Sequence, residues 1–389
     1  VLLTNFIPPY RVPLLRALSR RTGALTTLLS TAMEGNRAWP ANWAGLDVMV
    51  QRGVSVRRQW RHPSGFSEQA YLHVPYDTIP LLRRLRPEVV IAAEMGPRTA
   101  QAALYCRLTR TPLVVWATLS EETEKGRGLA RRIVRTLLLR QAHAVLVNGR
   151  SGQRYVRGLT RHCPETFMAP YATDTDVFGT REKRAEPGPV RKLLSVGQLI
   201  PRKGLREFAT ALGWWTQAHP DIGVEWKLAG DGPLRQEFLS LPHPPSLRVE
   251  HVGAVGYERL PELYSASDVL VLPSLADEWA VVVNEAMASG LPVLGSVCSQ
   301  AVQELVEDGK TGWTFHPQRP PEMQEALDRA LLAAPEKISA MGHAARQRAM
   351  RLSPAATADA IYAALLHAIT RSGASAGMRH AVSCLDEVE

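Results

Sequence analysis

Twice along its 389 residues this sequence runs through the same alternation of short apolar runs and helix-patterned segments. On the first pass residues 1–6 and 25–30, PEVVIAA, TPLVVWA (111–117) and AVLVNG (144–149) read as strands. RVPLLRALSRR, TIPLLRRLR, PRTAQAALYCRLTR and GLARRIVRTLLLRQA read as the helices between them. On the second pass KLLSVG (192–197), GVEWKLAG (223–230), LRVEHVG, Val269 onward and PVLGS are the strands. Uninterrupted, β-branched runs of this length fit strands buried on both faces, and their alternation with helices calls for parallel sheets covered by helices. A chain this long also exceeds what a single core usually holds. The expected fold is α/β: two Rossmann-like, doubly wound domains facing each other across a deep cleft, with ligands gathered at strand C-termini. The expected boundaries are 1–178, a charged, proline-containing linker at 179–191, and 192–350. Helix 355–370 is expected to complete the first domain, and 371–389 lacks an apolar face and reads as disordered. Residues 31–70 read as loops and irregular strands. In GLARRIVRTLLLRQA, Ile133, Leu137 and Leu138 are expected to face a core while the arginines point away.

The formal charge of +9 comes from arginine, in clusters that all lie before residue 160. A basic first half suits an anionic membrane surface or a phosphorylated substrate. No helix-turn-helix, zinc-finger or stacking-aromatic pattern accompanies it, so nucleic acid is disfavoured; a basic face without a partner is the plainer alternative. Four scattered cysteines make neither a disulfide scaffold nor a zinc site. No apolar run is long enough to span a membrane and no signal-peptide pattern is visible, so the expected compartment is the cytoplasm, with peripheral attachment to the inner membrane face left open.

Chemistry concentrates in three loops of the second half, each between a strand and a helix. In GQLIPRKG, Gly197 and Gly204 permit close turns, and Arg202 and Lys203 place positive charge where a diphosphate could sit. Two surface cations beside a turn would look the same. Gly230-Asp231-Gly232 marks a tight turn, functional or ordinary. In VLVLPSLADEWAVVVNEAMASGLPV, Asp277 precedes a helix and Glu285 lies inside it. Both could accept hydrogen bonds from the hydroxyls of a sugar or ribose; the competing reading is an N-cap and a solvated acid. Acids at the ends and cations in the middle suit a nucleoside-diphosphate sugar.

SVGQLIPRKGL, KLAGDGPL, VGAVGYERLPELYSASDVLVLPS, DEWAVVVNEAMASGLPV and ELVEDGKTGWTF, in that order, resemble the retaining nucleotide-sugar glycosyltransferases of family four, which have the GT-B fold. A looser similarity runs through TNFIPPYRVPLLRAL, HVPYDTIPLLRRLRPEVVIAAE and APYATDTDVF. The resemblance implies transfer of a sugar from a nucleoside diphosphate, UDP favoured over GDP, to a hydroxyl acceptor: a glycan, a lipid-linked precursor or a small molecule. No obligatory cofactor or metal is implied. Lys203 matches the lysine on the donor diphosphate, helped by Arg202. Glu285 matches the glutamate on the donor ribose, and Asp277 stands in place of a glutamate near the transferred sugar. Gln198 stands where many members have an arginine, and Ala280 where glycine is usual. The backbone of Trp279, Ala280, Val281 and Val282 should face sugar and phosphates, and the strand end at Gly253 and Val255 the base.

The first domain should carry the acceptor. Pro9 and Tyr10 are placed at the cleft floor, Glu94 and Arg98 at a strand-to-helix corner facing it. Glu121, Glu122 and Glu124 lie in a loop that has no histidine where relatives often have one. For Glu94 and Arg98 a helix cap and a solvated arginine are equal alternatives, and His62 and His73 read as structural or surface histidines rather than catalytic ones. Competing functions are a nucleotide-sugar-binding protein without catalysis, suggested by Gln198, Asp277 and Ala280, another GT-B enzyme such as an epimerase or phosphorylase, and a basic interaction protein.

Overall fold

The computed structural model describes residues 1–34, 42–179, 188 and 190–373. Most of the 179–191 linker and all but the first residues of the 371–389 tail therefore lie outside the described residues. The first half supplies β1 (Leu2–Thr4), β2 (Thr26–Leu29), β3 (Asp47–Val50), the hairpin strands β4 (Gly53–Arg61) and β5 (Ser67–Pro75), then β6 (Val90–Ala92), β7 (Leu113–Ala117), β8 (Ala144–Val147) and β9 (Thr166–Met168). The second supplies β10 (Arg191–Val196), β11 (Val224–Ala229), β12 (Leu247–Gly253), β13 (Val269–Leu272), β14 (Val293–Ser296) and β15 (Gly312–Phe315).

Two parallel sheets result, ordered β3-β2-β1-β6-β7-β8-β9 and β12-β11-β10-β13-β14-β15. This is the expected GT-B arrangement of two Rossmann-like domains facing a cleft. The central strands β7, β8, β13 and β14 are buried at every position, as their unbroken apolar sequences require. Strand order reverses between β1 and β6 and again between β10 and β13. The loops leaving β1, β10 and β13 therefore open at the switch points, where side chains from neighbouring loops can converge on a ligand. The C-terminal helix Pro354–Arg371 crosses back and packs on helix Val12–Thr22 and on β7, β8 and β9.

Two segments differ from expectation. Residues 53–75 form a regular antiparallel hairpin, paired from Gly53↔Pro75 to Arg61↔Ser67. Its tip leans on the second domain: Phe66 and the partly buried Trp60 pack with Leu275 and Ala276. Helix Leu129–Leu139 meets the expectation only in part, with Arg131 and Arg132 outward as expected. Leu138 is buried, but Ile133 and Leu137 are 52% and 53% exposed, while Arg135 lies buried against Glu124 and Tyr155. A buried carboxylate and phenol can hold a guanidinium, and that leaves the aliphatic face outward.

Two glycines set the second domain's loops. A Cβ on Gly230, at φ +144°, would sit 1.8 Å from the Gly197 carbonyl oxygen, and one on Gly204, at φ +65°, 2.0 Å from that of Pro273. Gly230→Ala is therefore expected to lower stability by about 2 kcal/mol or more, through clash and left-handed strain together. Chemical denaturation of the variant against the parent measures it.

Candidate active site

Loops from both sheets enclose a cavity of about 630 Å³ between the domains. After β10 the chain turns through Gly197 and Gln198 into a short turn at Pro201–Lys203, which delivers two cations to one carboxylate. Lys203 Nζ donates to Asp277 Oδ2 at 2.7 Å, with Arg202 3.5 Å from the same oxygen. Arg202 also reaches Glu68 of the hairpin at 3.2 Å and the Ala276 carbonyl at 3.1 Å. The other Asp277 oxygen accepts the Trp279 N–H at 3.2 Å. Burial alone would raise the Asp277 carboxyl; Lys203 and Arg202 outweigh it and hold it below the usual range. Burial likewise opposes the Arg202 charge, and Asp277 with Glu68 restores it.

Asp277 is not a helix cap. The helix Val281–Ala288 begins after Ala280, whose side chain caps nothing. Its first amides stay unbonded within the helix, and Ala280, Val281 and Val282 border the cavity. Nor is Glu285 solvated: it is 3% exposed, borders the cavity, and accepts a 2.7 Å hydrogen bond from Tyr264 Oη. Burial pushes its carboxyl up to about 7, with Tyr264 opposing. The two acids singled out in one sequence stretch thus sit in opposite electrostatic settings.

The cavity brings together Gly197, Gln198, Arg202, Lys203, Val255 and Trp279 from the donor-side expectations, and Pro9 and Tyr10 from the acceptor side. Gly204 and Gly253 are not in its wall. Gly204 packs under Pro273, and the Gly253 carbonyl accepts the Gly230 N–H at 2.8 Å. The five acceptor-side charges also lie outside it. Arg98 is fully buried, paired with Glu94 at 3.0 Å and donating to the Thr4 carbonyl and Asn5, so it braces the loop after β1. Glu121 pairs with Arg154, Glu122 with Lys125, and Glu124 with Arg135 and Arg131. His62 stacks on Phe66 and His73 bonds Ser55, both structural as expected.

Sequence reasoning missed Tyr264, Glu68 and Arg11. Tyr264 follows Leu260 by four residues in an amphipathic helix, so the pattern identifies a core residue but not its hydroxyl's partner. Glu68 belongs to the unrecognised hairpin, and Arg11 was hidden inside a helix start. Among the described residues no three His, Cys, Asp or Glu side chains form a group suited to a metal ion.

Residues 190–332 match a family described as glycosyl transferases group 1. The chain is 33% identical over 170 residues to an alpha-D-kanosaminyltransferase of Streptomyces kanamyceticus, covering 43% of each protein. It is 31% identical over 286 residues to a glycogen synthase of Mycobacterium tuberculosis, covering 68% of this chain and 65% of that one. The chain spans about half or less of the length of the first curated relatives it matches. The crystal structure of Anabaena Alr3699/HepE in complex with UDP superposes with a TM-score of 0.68 at 17% identity, over 94% of this chain and 99% of that one.

The raised Glu285 carboxyl has a measurable consequence. The acid is protonated in both folded and unfolded states below its usual 4.5, so its full contribution is present there; it is lost as pH rises through about 7. Glu285→Gln removes that dependence. Relative to the parent, the variant should gain about 2 kcal/mol of unfolding free energy between pH near 5 and pH near 8. Paired denaturant titrations at the two pH values read the difference.

Proposed function

We propose that this chain is a retaining glycosyltransferase that moves a sugar from a UDP-sugar to a hydroxyl acceptor. The observation that carries the reading is the pairing of Lys203 and Arg202 with buried Asp277, in the same cavity as buried Glu285. The group 1 glycosyl transferase match over 190–332 and the similarity to a kanosaminyltransferase support it, as does a fold shared with a UDP complex.

Departure of the nucleoside diphosphate develops negative charge on the leaving oxygen. Lys203, Arg202 and the free amides at the start of helix Val281–Ala288 are fixed where they stabilise that charge more in the transition state than in the ground state. Glu285, oriented by Tyr264, takes the ribose hydroxyls, and Asp277 faces the transferred sugar. The acceptor hydroxyl attacks from the face the phosphate leaves, so the anomeric configuration is kept. Val255 and the strand end beside it bound the base.

The acceptor reading includes an anionic membrane surface. Leu129, Ile133 and Leu137 recur every fourth residue on the outer face of helix Leu129–Leu139, at 72%, 52% and 53% exposure, beside Leu104 and Leu108 of the neighbouring helix Pro97–Thr109. Exposed Arg131, Arg132 and Arg140 flank them, and neither helix carries an acid. Aliphatic side chains ringed by cations suit the headgroup layer of an anionic bilayer.

Incubation with UDP-, GDP- and ADP-sugars, followed by nucleotide release, tests the transferase reading. Turnover of one UDP-sugar, with the α-anomer retained in the product, is expected; tight binding of a donor without release, even with membrane extract added, would point to a binding protein. For the membrane surface, changing Leu129, Ile133 and Leu137 together to Ser should reduce sedimentation with phosphatidylglycerol vesicles about tenfold or more. Equal sedimentation of variant and parent would remove the membrane from the account.

A further inference from the structure

One guanidinium in the cavity wall is held unlike most of the arginines around it. Arg98, Arg135, Arg154 and Arg202 each have a carboxylate partner. Arg11 is 8% exposed, borders the cavity, and has no carboxylate within ion-pair distance among the described residues. Aromatic faces hold it instead, with its Cζ 4.7 Å from the Trp116 ring and 4.9 Å from the Tyr171 ring. It donates to Thr4 Oγ1 at 3.1 Å and Tyr171 Oη at 3.3 Å, and its buried Nε–H has no acceptor among the described residues. Stacking on π-faces fixes a guanidinium without neutralising it. A buried cation left in that state gains more from an incoming anion than a paired one does.

A second cation lines the same cavity and is also stacked on an aromatic ring. Arg127 stacks over Trp60 with 3.4 Å between Cζ and the ring centroid, bonds the Thr123 carbonyl, and has no ion pair among the described residues. Burial, reinforced by nearby Arg131 and opposed by Glu124 and Glu68 beyond ion-pair distance, lowers its guanidinium to about 10, so it stays charged at neutral pH. Both groups belong to the first domain, opposite Lys203 and Arg202, whose charge is already met by Asp277 and Glu68. The Arg11 platform also touches the donor half, since Asn284 of helix Val281–Ala288 donates to the Tyr171 carbonyl at 2.9 Å.

We propose that Arg11, assisted by Arg127, binds a phosphate ester carried by the acceptor. A buried guanidinium without a carboxylate partner among the described residues, with Arg127 in the lining of the same cavity, suits the near-dianionic charge of a phosphate monoester better than a single carboxylate does. The word acceptor rests on the transferase reading above; the phosphate site itself does not.

Calorimetric titration with glucose and with glucose 6-phosphate, in the presence of UDP, tests it on the full chain. Dihexanoyl phosphatidic acid, also a phosphate monoester, serves as the lipid-borne phosphate. The parent should bind a phosphorylated probe about thirtyfold or more tighter than glucose, and Arg11→Gln should erase most of that ratio. Arg11→Lys should keep part of it, and Arg127→Gln, altered at a half-buried position, should reduce it. The ratio within each variant, with circular dichroism confirming the fold, separates recognition from unfolding. Preference for glucose 6-phosphate identifies a soluble sugar phosphate, and preference for the lipid probe a headgroup; either supports the proposal. Equal affinity for charged and neutral probes in the parent would overturn it, as would a phosphate preference unchanged in Arg11→Gln and Arg127→Gln. Phosphate binding that depends on Arg11, without turnover of any UDP-sugar, would sink the transferase reading and leave this one standing.

Discussion

A single buried carboxylate organises the cleft. Asp277 receives Lys203, Arg202 and the Trp279 amide on its two oxygens. Its backbone carbonyl accepts Ser120 Oγ from the first domain at 3.3 Å and the Gln300 amide at 3.2 Å. Arg202 carries the same connection outward to Glu68 on the hairpin. Loss of one partner from such a cluster leaves buried charge unbalanced, at a cost of roughly 3–5 kcal/mol. The loop after β10, the entry to helix Val281–Ala288 and the hairpin of the opposite domain thus share one electrostatic centre, and the cavity keeps its shape because they do.

Around that centre the two acids divide the work. Asp277, between cations, stays ionised and holds Lys203 and Arg202 in place. Glu285, eight residues on and surrounded by apolar helix neighbours with Tyr264 as its donor, has a carboxyl poised near neutral pH. On the proposed reading, a ribose that donates to it would favour the ionised form and so link donor binding to deprotonation of Glu285. The cations of the second domain are internally balanced, whereas Arg11 and Arg127 across the cleft are held by rings. On the proposed transferase reading, that asymmetry would separate a preassembled donor side from an acceptor side still short of negative charge.

Much of this was legible in the sequence because buried parallel strands leave an unmistakable apolar signature, and because the three loops after β10, β11 and β13 keep their order and spacing. Lys203, Asp277 and Glu285 were singled out by the stretches they occupy together with the family resemblance, and the structure gathers all three in one cavity. What periodicity does not encode is which face of an amphipathic helix turns inward. In LARRIVRTLLL the aliphatic repeat fits a core or a surface equally, and the burial of Arg135 depends on Glu124 and Tyr155, distant in pattern though near in space. The hairpin escaped notice for a related reason: β4 is exposed at nearly every position, so it lacks the alternation that marks a half-buried strand. Glu94, Arg98 and the glutamates at 121, 122 and 124 looked available as single residues, and each proved to be committed to a neighbour.

The most direct measurement of the account is the affinity of UDP for the parent chain and for Lys203→Ala, by isothermal titration calorimetry near neutral pH. If Lys203 meets the diphosphate, the parent binds UDP and the variant loses about tenfold or more in affinity, as expected for a charge-assisted contact. UDP bound equally well by both proteins, or by neither, would contradict the placement of the donor in this cleft.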